Sequence, residues 1–252
     1  MSVVLTGRAD GSTHREVELL STLPGELRLI GGLAVMCRVG APHRATVDID
    51  ALARGLDRFH DVLVRLALTS VGGGQYTFDG DLDLDVIDVA AVGADDLVTE
   101  ILGLGEPGSE LTDLELNAVA HTWAHDSATA LDIVAVDEET ARVLARADDR
   151  LVATTAGLVV MKATTVSLRA SSKPEKRSSD LYDLGRLLVS GGLKRGDLGL
   201  LPPPLLEAVG SRLNAWFVEA RGRDRTFREV RRFDEPRLEL DDVAEAVTEA
   251  LG

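Results

Sequence analysis

The stretch LIGGLAVMCRVGAPHRATVDID, residues 29–50, joins a Gly-Gly pair to two closely spaced acids. Residues 27–30 form a short apolar run that predicts a strand, which Gly31 and Gly32 end. Residues 33–39 are mostly apolar and predict a compact helix. Residues 46–50 alternate polar with apolar side chains, as a half-buried strand does. The stretch therefore predicts a strand, a Gly-Gly turn, a helix and a second strand.

The two acids of this stretch predict a metal site. Residues i and i+2 of a strand project from the same face, so Asp48 and Asp50 point together. Two carboxylates this close repel unless a cation lies between them, and Mg²⁺ prefers carboxylate and water oxygens. Gly31 and Gly32 precede a helix whose free N–H groups can bind a phosphate. Together these residues predict a site for a metal-chelated triphosphate.

A third acid is expected on a neighbouring strand. Residues 76–78 and 82–89 are strand-like runs joined by an Asp-Gly pair, which predicts a hairpin. The second run alternates, with leucine and valine on one face and acids on the other. Asp85 is the predicted third ligand of a two-metal centre, in which one ion activates a hydroxyl and the other steadies the leaving pyrophosphate. Asp83 or Asp88 would take this place if the strand register differed.

The remaining patterns predict an α+β fold: a small mixed sheet with flanking helices in residues 1–150, the predicted core domain, and a mainly helical portion at 151–252. Two further helices are expected after the three prolines at 202–204. The other predicted elements are a helix at 52–68, a helix or strand at 116–123, a strand at 131–136, helices at 137–146, 155–169 and 180–188, and a polar, mobile loop at 171–179.

Composition excludes several classes of protein. With 45% hydrophobic and 27% charged residues in 252, the chain has the balance of a folded globular protein. No apolar run reaches the roughly 20 residues of a membrane span, and the N-terminus lacks the pattern of a signal peptide. Cys37 is the single cysteine, which excludes an internal disulfide and a cysteine-rich zinc site. We therefore expect a cytoplasmic protein without a membrane partner.

The formal net charge of −15 is unevenly distributed. Residues 1–159 carry 11 basic and 27 acidic side chains (−16), residues 160–232 carry 15 and 8 (+7), and residues 233–252 carry 1 and 7 (−6), which together give −15. One interpretation of the basic segment is a set of solvated helix faces. The other is a surface that faces a polyphosphate or RNA.

Residues 29–50 resemble the GG/GS…DxD signature of the DNA polymerase β-like nucleotidyltransferase superfamily. The stretch MKATTVSLRASSKPEKRSSDLYDLGRLL, residues 161–188, resembles the Lys…Arg…Asp-x-x-Asp-Leu segment of the AbiEii/MenT type of nucleotidyltransferase toxins. The resemblance covers about residues 27–190. Toxins of this type use a nucleoside triphosphate and Mg²⁺, and mycobacterial members add nucleotides to the 3′ end of tRNA.

The resemblance implies roles for individual residues of the first signature. Gly31 and Gly32 match the glycines of the phosphate turn, and Asp48 and Asp50 match the metal-binding DxD. The gap of sixteen positions between Gly32 and Asp48 is at the long end for the family.

The second signature implies further roles. Lys162 matches the lysine that holds the triphosphate, and Asp183 matches the acid expected to orient Lys162 or the acceptor hydroxyl. Arg169 and Asp180 match positions that flank this motif, and Arg169 is expected to join the nucleotide-binding group. Ser179 stands where the family often has a lysine.

Other features have weaker signals. His121 and His125 lie four residues apart, but no HExxH pattern or cysteine accompanies them, so a structural role is predicted rather than a zinc site. Cys37 is predicted to be a core residue. The segment GRDRTFREVRR, residues 222–232, is a solvated helix in one interpretation and an RNA-backbone surface in the other.

These observations predict a Mg²⁺-dependent nucleotidyltransferase that transfers a nucleotide to tRNA and acts as a toxin with a cognate antitoxin protein. One alternative keeps the chemistry but has a protein or small-molecule acceptor, which the acidic first part of the chain favours. The second alternative is a degenerate module that only binds a nucleotide or a partner.

Overall fold

The computed structural model of the chain describes residues 1–8, 11–41, 48–106, 108–169, 173–233 and 237–252. They form two compact units, each discontinuous in sequence. The first, called here the sheet unit, comprises Met1–Ala91 and Ser127–Thr154, and the second, the helical unit, comprises Val92–Asp126 and Thr155–Gly252. Residues 92–126 thus belong with the C-terminal helices.

In its described residues the sheet unit has three helices and one eight-stranded mixed sheet. The helices are α1 (Thr13–Thr22), α2 (Gly31–Val39) and α3 (Asp57–Leu66). The strands are β1 (Ser2–Gly7), β2 (Arg28–Ile30), β3 (Asp48–Ala53), β4 (Thr69–Gly72), β5 (Gln75–Phe78), β6 (Leu82–Asp88), β7 (Thr129–Asp137) and β8 (Val143–Val152). They lie in the order β1-β7-β8-β2-β3-β6-β5-β4.

The pairing of the strands is mixed, which confirms the predicted class. β1 with β7, β2 with β8 and β3 with β6 are parallel pairs, and the remaining neighbours are antiparallel. The predicted hairpin is β5–β6. Its alternation is confirmed, because Leu82, Leu84 and Val86 are buried while Asp83 between them is exposed. Residues 46 and 47 of the predicted DxD strand lie outside the described residues.

The helix predicted at 137–146 is wrong. These residues form a turn and the first part of β8, which pairs antiparallel with β7. Asp137 Oδ1 accepts hydrogen bonds from the backbone N–H and the hydroxyl of Thr140, at 2.8 and 2.6 Å. Ala141 has a φ of 55°, which reverses the chain. Pairing with β7 therefore overrides the helical character of this segment.

The helix predicted at 52–68 is shorter than expected. Leu52 and Ala53 continue β3 and pair with Ile87 and Asp88 of β6. Gly55, with a φ of 76°, turns the chain before α3 begins. The strand extends because both residues are buried where β3 pairs with β6.

The helical unit contains α4 (Ala94–Leu104), α5 (Asp113–Asp126), α6 (Thr155–Arg169), α7 (Pro174–Ser190), α8 (Pro203–Leu213), α9 (Ala220–Val230) and α10 (Leu240–Leu251), with a 3-10 turn at Leu198–Leu200 and a π-helical turn at Asn214–Val218. Helix α6 has the predicted bounds. Three helices follow the proline run instead of two. The segment predicted as a helix or strand at 116–123 lies in α5.

The loop predicted at 171–179 is wrong from residue 174 onward, because α7 begins at Pro174. A proline suits the first turn of a helix, where its missing N–H would have no helical partner. Residues 171 and 172 lie outside the described residues. No helix in the described ranges combines the length and apolar character that a membrane span needs.

Candidate functional site

The Gly-Gly turn and the DxD strand are in direct contact. Ile30 of β2 pairs with Asp50 of β3, so the turn that follows β2 lies beside the Asp50 side chain. Gly31 has a φ of 71°, and a Cβ added there would lie 2.0 Å from Asp50 Oδ2. Only glycine satisfies both the left-handed backbone and the close approach of the carboxylate.

Gly31 and Gly32 are the first two residues of α2, a helix of nine residues that begins two residues before the predicted start at 33. The N-cap residue, Ile30, makes no side-chain capping hydrogen bond. The first backbone N–H groups of a helix and the positive end of its dipole favour an anion at this place. The predicted phosphate turn therefore adjoins one of the two predicted metal-binding acids.

The register of β3 and β6 assembles the acids. In this parallel pair Asp48 is opposite Asp83, and Asp50 is opposite Asp85. Paired residues on neighbouring strands project from the same face, with strands about 4.8 Å apart. Asp48, Asp50 and Asp85 are each half-buried, whereas Asp83 is exposed. The structure thus brings the predicted DxD and the predicted third acid together.

The two alternative third acids have other partners. Asp83 Oδ1 accepts a hydrogen bond from the hydroxyl of Thr77 at 2.8 Å. Asp88 Oδ1 accepts from the backbone N–H groups of Gly55 and Leu56, at 2.8 and 3.1 Å. Asp88 therefore holds the turn before α3, which favours Asp85 as the partner of the DxD.

Carboxylate oxygens are the ligands that Mg²⁺ prefers, so the donor set fits the ion that the resemblance implies. The strand register keeps Asp48, Asp50 and Asp85 on one face of the sheet. In their present rotamers, no three His, Cys, Asp or Glu side chains of the described residues converge closely enough to hold a metal ion.

A second cluster of predicted residues lies in the helical unit. Lys162 of α6 is buried, and its Nζ donates to Asp180 Oδ1 at 3.0 Å and to Asp183 Oδ2 at 2.8 Å. Arg169 Nη1 donates to the other carboxylate oxygen of Asp180. The two cations and two carboxylates of this cluster carry no formal net charge.

Helix geometry explains how this cluster forms. Helices α6 and α7 pack together, so one helix supplies the cations and the other supplies the acids. Asp180 and Asp183 are three residues apart and therefore lie on the same face of α7. Asp183 is fully buried, and a buried carboxylate of this kind needs a cationic partner. Lys162 is such a partner, although its local sequence by itself suggests a surface lysine.

The two histidines of α5 have the structural surroundings predicted for them. His121 is buried and its Nδ1 is hydrogen-bonded to the carbonyl oxygen of Asn117 at 2.7 Å. Desolvation lowers the pKa of His121, with the nearby Arg169 acting in the same direction and the Asn117 hydrogen bond opposing it. His125 Nδ1 lies 2.9 Å from Asp126 Oδ1.

Sequence reasoning missed Arg38 at the end of α2. Its Nε donates to the carbonyl oxygen of Ala153 at 2.7 Å, and its Nη2 donates to that of Val152 at 2.6 Å and to the hydroxyl of Thr129 at 2.8 Å. Arg38 thus ties α2 to β7, β8 and the residue that follows β8. A lone basic residue at the C-terminal end of an otherwise apolar helix was the available signal.

Comparisons with known proteins give one likeness in structure. No family model matches the chain, and no curated protein matches it in sequence. A solved structure described as an antigenic nucleotidyltransferase-like protein from Paracoccidioides brasiliensis is similar, with a TM-score of 0.38 and 13% sequence identity, over 88% of this chain and 84% of that chain.

Proposed function

We propose that the chain is a Mg²⁺-dependent nucleotidyltransferase. One observation supports the proposal most strongly: Gly31 adjoins Asp50, and the β3–β6 register places Asp48, Asp50 and Asp85 on one face beside that turn. A phosphate-binding helix terminus beside three carboxylates has the parts that transfer from a triphosphate requires.

In the proposed reaction an acceptor hydroxyl attacks the α-phosphorus of a nucleoside triphosphate, and pyrophosphate leaves. Asp48 and Asp50 bind the metal, and Asp85 assists as a third ligand or accepts the proton of the acceptor hydroxyl. Bound Mg²⁺ would offset the negative charge of the carboxylates and of the triphosphate. The backbone of Gly31 and Gly32 binds phosphate oxygens through N–H groups.

From the resemblance, we propose that Lys162 and Arg169 donate hydrogen bonds to phosphate oxygens of the nucleotide, and that Asp183 holds Lys162 in a fixed position. The hydrogen bonds from Lys162 to Asp180 and Asp183 support the fixed position.

The acceptor and the biological role follow from the resemblance to the AbiEii/MenT type. We propose that tRNA is the acceptor and that the chain is a growth-inhibiting toxin with a cognate antitoxin protein. A short regulator gene adjacent to the gene for this chain would support the toxin role.

The proposal is tested by measuring the transfer of a labelled nucleotide to tRNA. The purified chain is incubated with each α-labelled nucleoside triphosphate, Mg²⁺ and total tRNA, and the RNA is resolved on a denaturing gel. We expect labelled tRNA from the unaltered chain and none from Asp48→Ala or Asp50→Ala. Asp61→Ala, which removes an exposed acid of α3, is the matched control and should keep activity.

The same experiment separates the alternatives. Label on protein or on a small molecule instead of tRNA would replace the proposed acceptor and keep the chemistry. Thermal stabilisation by nucleotide without a labelled product would indicate a module that only binds. If no label transfers and Asp48→Ala has no effect on growth, the proposal is wrong.

A further inference from the structure

The exposed side of α9 is lined with arginines. Arg221, Arg225 and Arg228 are spaced at i, i+4 and i+7, so they share one face of the helix, and Arg231 and Arg232 follow at its C-terminal end. All five are exposed. They are called here the arginine face.

The opposite side of α9 packs inward. Thr226 and Val230 are buried, and Arg223 beside them pairs with Asp241 at the start of α10. Phe227 lies between the two sides and is 45% exposed. Phe227 therefore presents part of an aromatic ring beside the five arginines.

Few acids offset the arginine face. Asp224 is the one acid of α9 that shares this exposed side. Glu229 is half-buried and divides its carboxylate between Arg225, at 3.1 Å, and Arg177 of α7. With five arginines and Asp224, the face has a formal charge of +4 in a chain whose net charge is −15.

Helix α9 is anchored to the helix that carries Asp180 and Asp183. Arg177 of α7 is buried and pairs with Glu229. Arg232 Nη2 donates to the carbonyl oxygen of Glu175 at 2.5 Å, and the rings of Tyr182 and Phe233 stack with centroids 4.7 Å apart. The arginine face is therefore held in a fixed position relative to the Lys162 cluster.

We propose that the arginine face is the docking surface for the sugar-phosphate backbone of RNA, with Phe227 stacking on an unpaired base. This inference rests on the proposed function and adds the residues that bind the acceptor. Guanidinium groups match phosphate geometry with paired N–H donors, and an aromatic side chain among them suits a single strand. An acidic protein would use the charges but would have no use for the stacking surface.

The exposed lysines at the start of α7 extend this surface. Lys173 and Lys176 are both exposed, and they flank Glu175, whose carbonyl oxygen binds Arg232. Lys173, Lys176 and the exposed Glu175 between them add a net charge of +1 to this surface. Positive charge on two helices suits a strand of several nucleotides, which single-strand binding proteins hold in sites of roughly 4–16 nucleotides.

The test measures RNA binding without any nucleoside triphosphate, so that it is independent of catalysis. Fluorescence anisotropy follows a labelled single strand of about twelve nucleotides, the same strand in a duplex, and a poly-glutamate peptide. The charge variant is Arg221→Gln/Arg225→Gln/Arg228→Gln. Its matched control, Arg58→Gln/Arg65→Gln/Arg142→Gln, removes three exposed arginines of the sheet unit and changes the net charge equally.

We expect the charge variant to raise the Kd for the single strand at least about tenfold and to reduce the slope of log K against log salt by about 2, because three phosphate contacts are lost. The control triple should change neither value appreciably. Phe227→Ala should weaken single-strand binding about tenfold, leave duplex binding nearly unchanged and keep the salt slope.

Equal effects of the two triple variants, or tighter binding of poly-glutamate than of RNA, would overturn the proposal. RNA binding that depends on the arginine face in a chain that transfers no label would leave the inference standing while the proposed function fails. If the charge variant transferred label to tRNA and bound RNA as the unaltered chain does, the proposed function would stand and the inference about the arginine face would fail.

Discussion

The carboxylate of Asp50 occupies the space in which a side chain at position 31 would lie. A Cβ on Gly31 would meet Asp50 Oδ2 at 2.0 Å and Asp50 Cβ at 2.8 Å, so rotation of the carboxylate alone cannot relieve the contact. Glycine at position 31 is thus required by the neighbouring strand β3 as well as by the backbone conformation.

Gly31→Ala should destabilise the fold more than Gly40→Ala does. Both positions have φ between 70° and 80°, so both variants incur about 1–2 kcal/mol of left-handed strain. A Cβ at Gly40 meets nothing within 4 Å, whereas one at Gly31 displaces Asp50. Urea denaturation measures the difference. Equal losses of unfolding free energy would show that Asp50 does not constrain position 31.

Asp85→Ala should lower activity and spare stability, whereas Asp88→Ala should lower stability and spare activity. Asp85 faces Asp50 across the parallel pair, and its loss should reduce nucleotide transfer at least about a hundredfold with little effect on stability. Asp88 accepts two backbone N–H bonds, and its loss should cost about 1–2 kcal/mol of stability while folded protein stays active. Transfer assays and thermal melts distinguish them. An inactive, stable Asp88→Ala would exchange the roles of the two acids.

Lys162 and Asp183 should be strongly coupled in stability. Lys162→Met leaves the fully buried Asp183 without this partner and should cost about 3–5 kcal/mol. Asp183→Leu should cost a similar amount, and the double variant should cost clearly less than the sum of the two. Urea denaturation of the four proteins gives the coupling energy. Additive losses would contradict a direct ion pair.

Cys37 should be unreactive in the folded chain even in mildly alkaline solution. Burial raises the pKa of the Cys37 thiol to about 12, and the charge of Arg38 offsets only part of that increase. The thiolate is the reactive form, so the reaction with a disulfide reagent should stay slow between about pH 7 and 9 and become rapid in denaturant. Cys37→Ser supplies the blank. Rapid and complete labelling of the native chain near pH 8, at a rate that levels off towards pH 9, would contradict the burial.

Stability should fall in acid partly because of His121. Desolvation lowers the folded-state pKa of His121, so between that pKa and about 6.5 the unfolded chain binds more protons. His121 contributes this stability above about pH 6.5 and loses it as the pH falls, with a slope of at most about 1.4 kcal/mol per pH unit. His121→Gln should flatten the pH profile of the unfolding free energy, and a profile as steep as that of the unaltered chain would contradict this.

Local patterns in the sequence were sufficient to predict the strand and helix that meet at the Gly-Gly pair, and to predict the bounds of α6. Each depends on periodicity and turn residues that act within one element. The strand at β8 could not be recognised in this way, because pairing with β7 decides it. The division into two discontinuous units likewise depends on contacts between distant segments.

The residues of the candidate site also fall into two groups: those that a local pattern predicts, and those whose role depends on contacts between distant segments. The DxD face follows from strand alternation alone, so Asp48 and Asp50 could be predicted as a pair. The choice of Asp85 over Asp88 depends on the β3–β6 register and on the turn that Asp88 holds, and neither is visible in a linear pattern. The basic character of residues 222–232 is visible in the sequence, but which arginines share one exposed face depends on the burial of α9.

The sheet order has a consequence for synthesis on the ribosome. Strand β1 has β7 as its neighbour, and β8 lies between β7 and β2, so the two strands at the middle of this half of the sheet are made last. Asp137 must leave the exit tunnel before β1 can pair fully with β7, and Val152 must leave it before β8 can join β7 to β2. The nascent chain must therefore carry β1 without its strand neighbour while α4 and α5 are synthesised, and a trapped partial chain that ends at residue 126 should be the form most in need of a chaperone.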